Sequence, residues 1–384
     1  MHVGISRRVA VVAALVAASL ATLLGATGAS SSPAAKVPST NPLKATLAQV
    51  KGLKPAQRTE KLAALAKQEG EVSIYTSLSA LVTRGLTTAW NAEYPDVKLN
   101  LYRASSEDVT ARLLAEVSAG TKGADIFETN GTNMLIMQHK RNVLIPYRGS
   151  PWAGTIPRAY RFDTFTADRL EKFVVVWNTN VVKDPPKTFQ ELANAKWKGQ
   201  LSMEPTDQDW FATLYGYFTT QAKNKMTPTA FLNLFKGIAA NAKIINGHTN
   251  QNTLLAAGQY GVNVTGHAQS AEQLMAQKAP LTFGPPFVEP VLERPQGMGV
   301  PYTVQHPAAA LLFYDWMLRG QTSDGKPGGQ KVLLANGVQP ANPYYPDTAF
   351  SAKPLTVKMD IRPIVENYQK WTKLYESVLA GAQK

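Results

Sequence analysis

Polar and aromatic side chains recur where a predicted strand ends and a predicted helix begins. They are Tyr75, Thr76, Ser77, Ser105, Asn130, Thr132, Asp207, Trp210, His248, Thr249, Asn250, His267 and Gln269. A helix N-terminus offers unpaired backbone amides and a partial positive charge, so several of them facing one cleft favour an anion. A single Ser, Thr, Asp or Asn can equally cap its helix, and Trp210 can be a pocket wall or a core residue. The set predicts ligand binding if the fold brings its members together.

Motifs of the common enzyme classes are missing from the sequence. It contains no Gly-x-Ser-x-Gly, His-Glu-x-x-His, phosphate-loop or dinucleotide-binding pattern. Ser323-Asp-Gly-Lys326 matches Ser-x-x-Lys, but it stands in a Gly- and Pro-rich turn without companion motifs. The chain has no cysteine, which excludes disulfides, a thiol nucleophile, thiolate metal sites and a lipid-modified cysteine. We therefore predict a binding protein without catalytic residues, cofactor or resident metal.

Composition is typical of a soluble globular protein. The 384 residues are 44% hydrophobic and 17% charged, a length that favours two lobes. The formal net charge is +13, yet lysines and arginines are scattered and accompany no nucleic-acid motif. A solvated basic surface is the interpretation we adopt, and no nucleic-acid partner is predicted.

The N-terminus has the pattern of a secretory signal peptide over residues 1–30. A short basic start precedes an apolar stretch over 9–26, and small residues follow over 25–30. Loss of Arg7 and Arg8 with this segment lowers the net charge from +13 to +11. Residues 31–54 are predicted to be a flexible tether, since 31–44 are rich in Ser, Pro, Thr and Ala. The protein is then periplasmic or secreted and does not span the membrane.

The rest of the chain alternates predicted strands with helices, twice over. Strands are expected over 72–77, 97–102 and 124–130, and again over 200–203, 243–246 and 260–264. Between the two sets, Phe173 to Trp177 is a continuous apolar run that suits a strand buried on both faces. A helix is predicted to begin near Gln190. Strand–helix alternation favours parallel sheets, with ligands at the carboxyl ends of the strands.

Residues around this central strand resemble a known family. Asn178-Thr-Asn180, Asp184-Pro-Pro-Lys-Thr-Phe-Gln-Glu-Leu192 and Lys196-Trp-Lys-Gly-Gln-Leu-Ser-Met203 are similar to the crossover of bacterial extracellular solute-binding proteins. The resemblance runs from about residue 67 to about residue 330. It implies an α/β, bilobal type II periplasmic-binding-protein fold, with two parallel-sheet lobes joined by two crossing strands. It also implies a monomer that serves an ABC permease and its ATPase.

The resemblance implies the following division of the chain. Lobe 1 would comprise 71–170 and part of 287–384, which also contains the return crossover; the first crossover would be 171–180, and lobe 2 would be 181–286. The helices predicted over 306–318, 329–335 and 361–379 would belong to lobe 1.

Further segments resemble the iron(III)-type branch of this family. They are Gly247-His-Thr249, Leu255-Ala-Ala-Gly-Gln259 and the run from His306 to Gln321. In ferric receptors of that branch an adjacent tyrosine pair binds the metal, but here Ala268 and Gln269 stand at those positions. Tyr344-Tyr345 lies far downstream. We expect a small, anionic solute. The alternatives are a ferric receptor with non-standard ligands, and a secreted α/β enzyme or sensor on the same fold.

Overall fold

A computed structural model describes residues 40–141, 143–322, 325–345, 350 and 352–382. The predicted signal peptide and the first part of the predicted tether lie outside the described residues. Within the described chain, no helix combines the length and the apolar character that crossing a bilayer requires.

The first lobe is built on three parallel strands, β1 (Glu71–Thr76), β2 (Lys98–Arg103) and β3 (Ile126–Asn130). Helices α3 (Ala80–Glu93), α4 (Ser106–Ala119) and α5 (Gly131–Ile136) each follow one of these strands. In α3 the apolar residues Val82, Leu86 and Trp90 recur every four positions and are buried. Trp90 packs edge-on against Trp316 of α10 (Pro307–Leu318), and α11 (Gly329–Ala335) packs on α3.

Two long strands, β4 (Phe165–Asn178) and β9 (Val291–Gly299), cross between the lobes. They pair antiparallel with each other from Phe165↔Gly299 to Phe173↔Leu292. Close approach requires glycine here, because a Cβ on Gly299 would lie 2.6 Å from the Thr164 carbonyl oxygen. Strand β9 also pairs with β3, and β4 with β7 (Val262–His267). With β5 (Leu201–Met203) and β6 (Ala242–Ile244) of the second lobe, the strand order is β2-β1-β3-β9-β4-β7-β5-β6. The predicted pair of crossing strands is confirmed.

The second lobe repeats the parallel arrangement with β5 (Leu201–Met203), β6 (Ala242–Ile244) and β7. Its helices are α6 (Gln208–Gly216), α7 (Pro228–Ala240), α8 (His248–Ala256) and α9 (Ala268–Ala276). Phe211, Phe231 and Phe235 are fully buried and their rings pack against one another. The helix predicted to begin near Gln190 is a single 3₁₀ turn, Gln190–Ala193.

Short elements complete the architecture. Strand β8 (Leu281–Thr282) pairs with β4, and β10 (Thr356–Lys358) pairs with β9. Single 3₁₀ turns span Ala153–Thr155, Arg158–Tyr160 and Ala195–Trp197, and π-helical turns span Met137–Arg141 and Tyr217–Gln221.

The prediction of a flexible tether over 31–54 is wrong for its last part. Residues Lys44–Gln49 form helix α1, which is followed by α2 (Pro55–Glu69). Leu43 and Val50 flank α1 and are buried in the core of the first lobe. Arg58 of α2 is itself anchored there, because its Nε lies 2.7 Å from Asp315 and its guanidinium donates to the Tyr147 hydroxyl. Burial of these apolar residues overrides the polar composition around them.

The C-terminal region also differs from the prediction of one closing helix in lobe 1. It forms α12 (Ile361–Glu366) and α13 (Tyr368–Leu379). Helix α13 packs on α6 and α7 of the second lobe, where the Tyr375 hydroxyl donates to the Glu204 carbonyl at 2.7 Å. Trp371 contacts Tyr215 of α6. Helix α13 therefore covers the second lobe and not the first.

Candidate functional site

A cavity of about 230 Å³ lies between the two lobes, lined from three sides. The first lobe contributes residues 77–79, 103–107 and 130; the second lobe contributes 204, 206, 207, 246–250, 267, 269 and 270. Strands β4 and β9 close the third side with Arg169, Glu171, Arg294 and Gln296. Nine of the thirteen residues predicted from the sequence line this cavity: Ser77, Ser105, Asn130, Asp207, His248, Thr249, Asn250, His267 and Gln269.

The other four predicted residues lie outside the cavity. Tyr75 donates its hydroxyl to Glu116, and Trp210 is a core residue, 1% exposed, packed edge-on against Phe235. Thr76 donates to Glu128 at 2.5 Å and Thr132 to Asp209 at 2.7 Å. Because Glu128 and Asp209 hold the two arginines described next, these threonines support the site indirectly.

Two buried arginines on the crossing strands are the residues that the sequence prediction missed. Arg169 on β4 forms an ion pair with Glu128 and lies 3.6 Å from Asp168. Arg294 on β9 lies 3.1 Å from Asp209, and its guanidinium stacks on the Phe173 ring. Each retains a buried Nε without a hydrogen-bond partner among the described residues. For Arg169, the available signal was a run of charged residues, 168–169 and 171–172, within a strand otherwise apolar enough to be buried.

Helices from both lobes begin at the cavity. In the first lobe, Ser79 caps α3 and Ser105 caps α4 by accepting from Val82 and Asp108 amides. In the second lobe, no side chain caps α8 or α9, whose first turns contain the cavity residues Thr249 and Gln269. Uncapped first-turn amides are donors that a bound anion can satisfy. The N-termini of α8 and α9 are thus the strongest anion-binding feature of the cavity.

His248 and His267 form a stacked pair, with ring centroids 3.5 Å apart. Burial tends to lower the pKa of His248, but the charges of Asp207 and Glu204, with a hydrogen bond to Asp207, raise it to about 9. His248 Nε2 lies 3.3 Å from Asp207, and Nδ1 donates to the Thr265 carbonyl. Burial and the neighbouring charges of His248 and Arg294 lower the pKa of His267 well below its ordinary value. The pair therefore consists of one charged and one neutral imidazole at neutral pH.

Three buried carboxylates also line the cavity: Glu171, Glu204 and Asp207. Burial raises the pKa of Glu171 despite the charges of Arg169 and Arg294. Burial also raises the pKa of Glu204, to about 7, although His248 opposes it. The cavity is consequently mixed in charge rather than uniformly positive.

No tyrosine is among the residues that line this cavity. Ala268 and Gln269 open α9 beside it, and Tyr344 lies elsewhere with its side chain exposed. In the portion of the chain that the structure describes, no group of three or more His, Asp or Glu residues has the geometry to hold a metal ion.

A larger cavity of about 790 Å³ lies at a different place, between the loop over 148–163 and α12. It contains Arg148, Arg158, Arg161 and Arg362, of which all but Arg161 are exposed. No helix of eight residues or more begins there. The smaller cavity, with buried charges from the second lobe and the crossing strands, is the better candidate.

Comparisons with known proteins agree with this architecture. The model of the family described as bacterial extracellular solute-binding protein matches residues 70–320. A search of curated protein sequences finds no match.

Several solved structures share the fold. Iron-bound HitA from Pseudomonas aeruginosa is 14% identical, with a TM-score of 0.63 over 80% of this chain and 99% of that one. AfuA from Actinobacillus pleuropneumoniae, with fructose-6-phosphate bound, is 18% identical, with a TM-score of 0.62 over 81% and 97%. The substrate-binding protein of an ABC transporter from Agrobacterium tumefaciens is 14% identical, with a TM-score of 0.66 over 82% and 96%.

Proposed function

The chain belongs to the bacterial extracellular solute-binding proteins, and we propose that the solute it delivers to an ABC importer is small, carries an anionic group and binds in the cavity between the lobes. The observation that carries this proposal is the convergence of helix N-termini from both lobes on a cavity that also contains Arg103, Arg169 and Arg294. Amide donors and guanidinium groups together suit carboxylate or phosphate oxygens.

The volume of the cavity and a similar solved structure both favour a small organic anion. About 230 Å³ is below the usual range of drug-sized ligand pockets, which favours a small molecule. The similar structure AfuA is described with fructose-6-phosphate, a sugar phosphate, so the shared fold accommodates an organic anion in at least one other protein.

The protein acts as a monomer without catalytic turnover, after export and removal of residues 1–30. The family supplies the extracytoplasmic role, and the N-terminal pattern of basic, apolar and small residues supplies the route of export. Support for a binding role over an enzymatic one comes from the family and from the absence of catalytic motifs in the sequence.

A thermal-shift screen of the purified chain tests the proposal. Organophosphates, small carboxylates, ferric chelates and neutral sugars are compared, and we expect anionic organic solutes to raise the melting temperature. Stabilisation by neutral sugars alone would contradict the proposal.

Calorimetry on two arginine variants then locates the site. Arg103 lines the cavity at its exposed rim, so Arg103→Gln removes a charged donor without opening the core. A hydrogen bond to a charged group contributes roughly 1.5–3 kcal/mol, so affinity should fall about 10- to 100-fold. Arg84→Gln, an exposed residue of α3 outside the cavity, is the matched control and should bind as the wild type does. Equal affinity in both variants would place the anion elsewhere.

A further inference from the structure

The buried cations around the cavity already have carboxylate partners. Arg169 pairs with Glu128, and Arg294 pairs with Asp209. Neither Glu128 nor Asp209 lines the cavity. These two ion pairs account for both buried guanidinium groups, so the three buried carboxylates that line the cavity, Glu171, Glu204 and Asp207, must be considered separately.

Of those three, Asp207 has one cationic neighbour of its own. His248 lies 3.3 Å from Asp207 Oδ1, while Arg294, shared with Asp209, is 3.9 Å away. Asp207 Oδ2 is buried and has no hydrogen-bond partner among the described residues. One oxygen of this carboxylate therefore receives no hydrogen bond from the described part of the protein.

Glu171 and Glu204 have no positively charged side chain within ion-pair distance among the described residues. The basic side chain that lies within 4 Å of Glu171 is His267, whose Nδ1 is 3.6 Å from Oε2, and His267 is neutral. The Glu204 oxygens accept from the Thr206 hydroxyl and the Gly247 amide, which are uncharged. Within the described residues, no lysine or arginine nitrogen lies within 4 Å of either carboxylate. Their exposures are 5% and 2%, so water does little to screen them.

Buried carboxylates without a cation are costly unless a ligand supplies one. An ammonium group offers a compact positive charge and three N–H donors, which suits two or three converging carboxylate oxygens. Hydroxyl groups would supply donors but leave the charges unbalanced. Burial raises the pKa values of Glu171 and Glu204, and the charges of Arg169 and Arg294 on Glu171 and of His248 on Glu204 offset that rise only in part.

We infer that the solute is a small zwitterion, whose ammonium group binds against Glu171, Glu204 and Asp207 while its carboxylate or phosphate binds at the N-termini of α8 and α9. The inference rests on the proposed function, since it adds a second group to the same solute in the same cavity. The cavity is small enough that both groups belong to one molecule.

Two matched pairs of probes test it by calorimetry at pH 8: O-phosphoethanolamine against ethyl phosphate, and β-alanine against propionate. Each pair shares an anionic group and differs by one amine. We expect the amine member of at least one pair to bind ten-fold or more tightly than its partner. Equal or tighter binding of both amine-free members overturns the inference and leaves the proposed function standing. Binding by none of the four at 10 mM overturns both.

Variants that remove a negative charge from the cavity provide a second test. Glu171→Gln keeps the shape of the side chain and should reduce the preference for the amine member at least ten-fold, while the amine-free anion binds no more weakly. Glu60→Gln, an exposed residue of α2, is the control. An unchanged preference in Glu171→Gln and in the parallel variant Glu204→Gln overturns the inference.

A measurement on the wild type covers the case in which these variants do not fold. Glu204 lies among His248, Asp207 and Glu107, and its carboxyl group is partly protonated near pH 7. An ammonium group favours its ionised form, so the amine probe should release protons on binding at pH 7, seen as a dependence of the calorimetric heat on buffer ionisation. Proton uptake or no proton exchange with a bound amine probe contradicts the inference.

Discussion

Replacing His248 with glutamine should flatten the pH dependence of stability between pH 6.5 and 9. The unfolded chain titrates this imidazole near pH 6.5, whereas the folded protein holds its pKa at about 9. At about 1.4 kcal/mol per pH unit, that difference corresponds to about 3 kcal/mol of folding free energy. The side chain is 18% exposed, so solvent screening reduces this figure little.

The sign follows from the raised pKa. Below pH 6.5 both states carry the proton and the stabilisation by Asp207 is complete; as the pH rises through 9, the folded protein loses the proton and the stabilisation disappears. Asp168 and Glu204, whose pKa values burial raises to about 8 and about 7, also make stability fall as the pH rises. The wild-type slope alone is therefore not diagnostic, and a comparison of variants is needed.

Urea unfolding at pH 6.5 and pH 9 provides that comparison. The wild type should lose about 3 kcal/mol more unfolding free energy than His248→Gln over this interval, because glutamine cannot carry the proton. Glutamine can still donate to the Thr265 carbonyl, which limits other damage. His139→Gln, at an exposed position outside the interlobe cavity, controls for loss of an imidazole. Parallel loss of stability in wild type and His248→Gln would refute the reasoning.

Three other predictions concern the N-terminal helix, iron and lobe closure. Leu43→Ala should lower the unfolding free energy by about 2–5 kcal/mol in urea titrations, because Leu43 is fully buried. Leu53→Ala, at a position 37% exposed, should cost much less, and equal effects would contradict the packing of α1. Ferric citrate added to the protein should produce no visible tyrosinate-to-iron charge-transfer band, because no tyrosine lines the cavity, and a band lost on replacing a tyrosine would show the reverse. Small-angle scattering should show a smaller radius of gyration at saturating solute, since closure around a ligand draws the lobes together; an unchanged radius would count against closure.

Much of the fold was accessible from the sequence because it depends on local pattern. The apolar run from Phe173 to Trp177 predicted a buried crossing strand, and strand–helix alternation predicted the parallel sheets. What failed depends on distant partners. The docking of α13 on the second lobe follows from contacts such as Trp371 with Tyr215, 156 residues apart in sequence, which no local period encodes.

The residues of the candidate site also separate into those that a local sequence pattern predicts and those that depend on distant partners. Ser105, His248 and Gln269 were found because strand-to-helix junctions meet at one edge of a parallel sheet. The sequence left Trp210 open as a pocket wall or a core residue, and it is a core residue because Phe189 and Phe235 enclose it from other elements. Arg169 and Arg294 lie in the middle of strands, and the expectation that ligands bind at the carboxyl ends of strands does not reach them. Only the pairing of β4 with β9 in the folded protein shows that both arginines face the cavity.

A crystal structure of the protein bound to the most stabilising solute from the thermal-shift screen would show where that solute lies. We expect electron density in the interlobe cavity, with anionic oxygens at the first-turn amides of α8 and α9 and an amine within about 3.2 Å of Glu171, Glu204 or Asp207 oxygens. Density in the arginine-lined cavity between residues 148–163 and α12, with the interlobe cavity holding only water, would contradict this expectation.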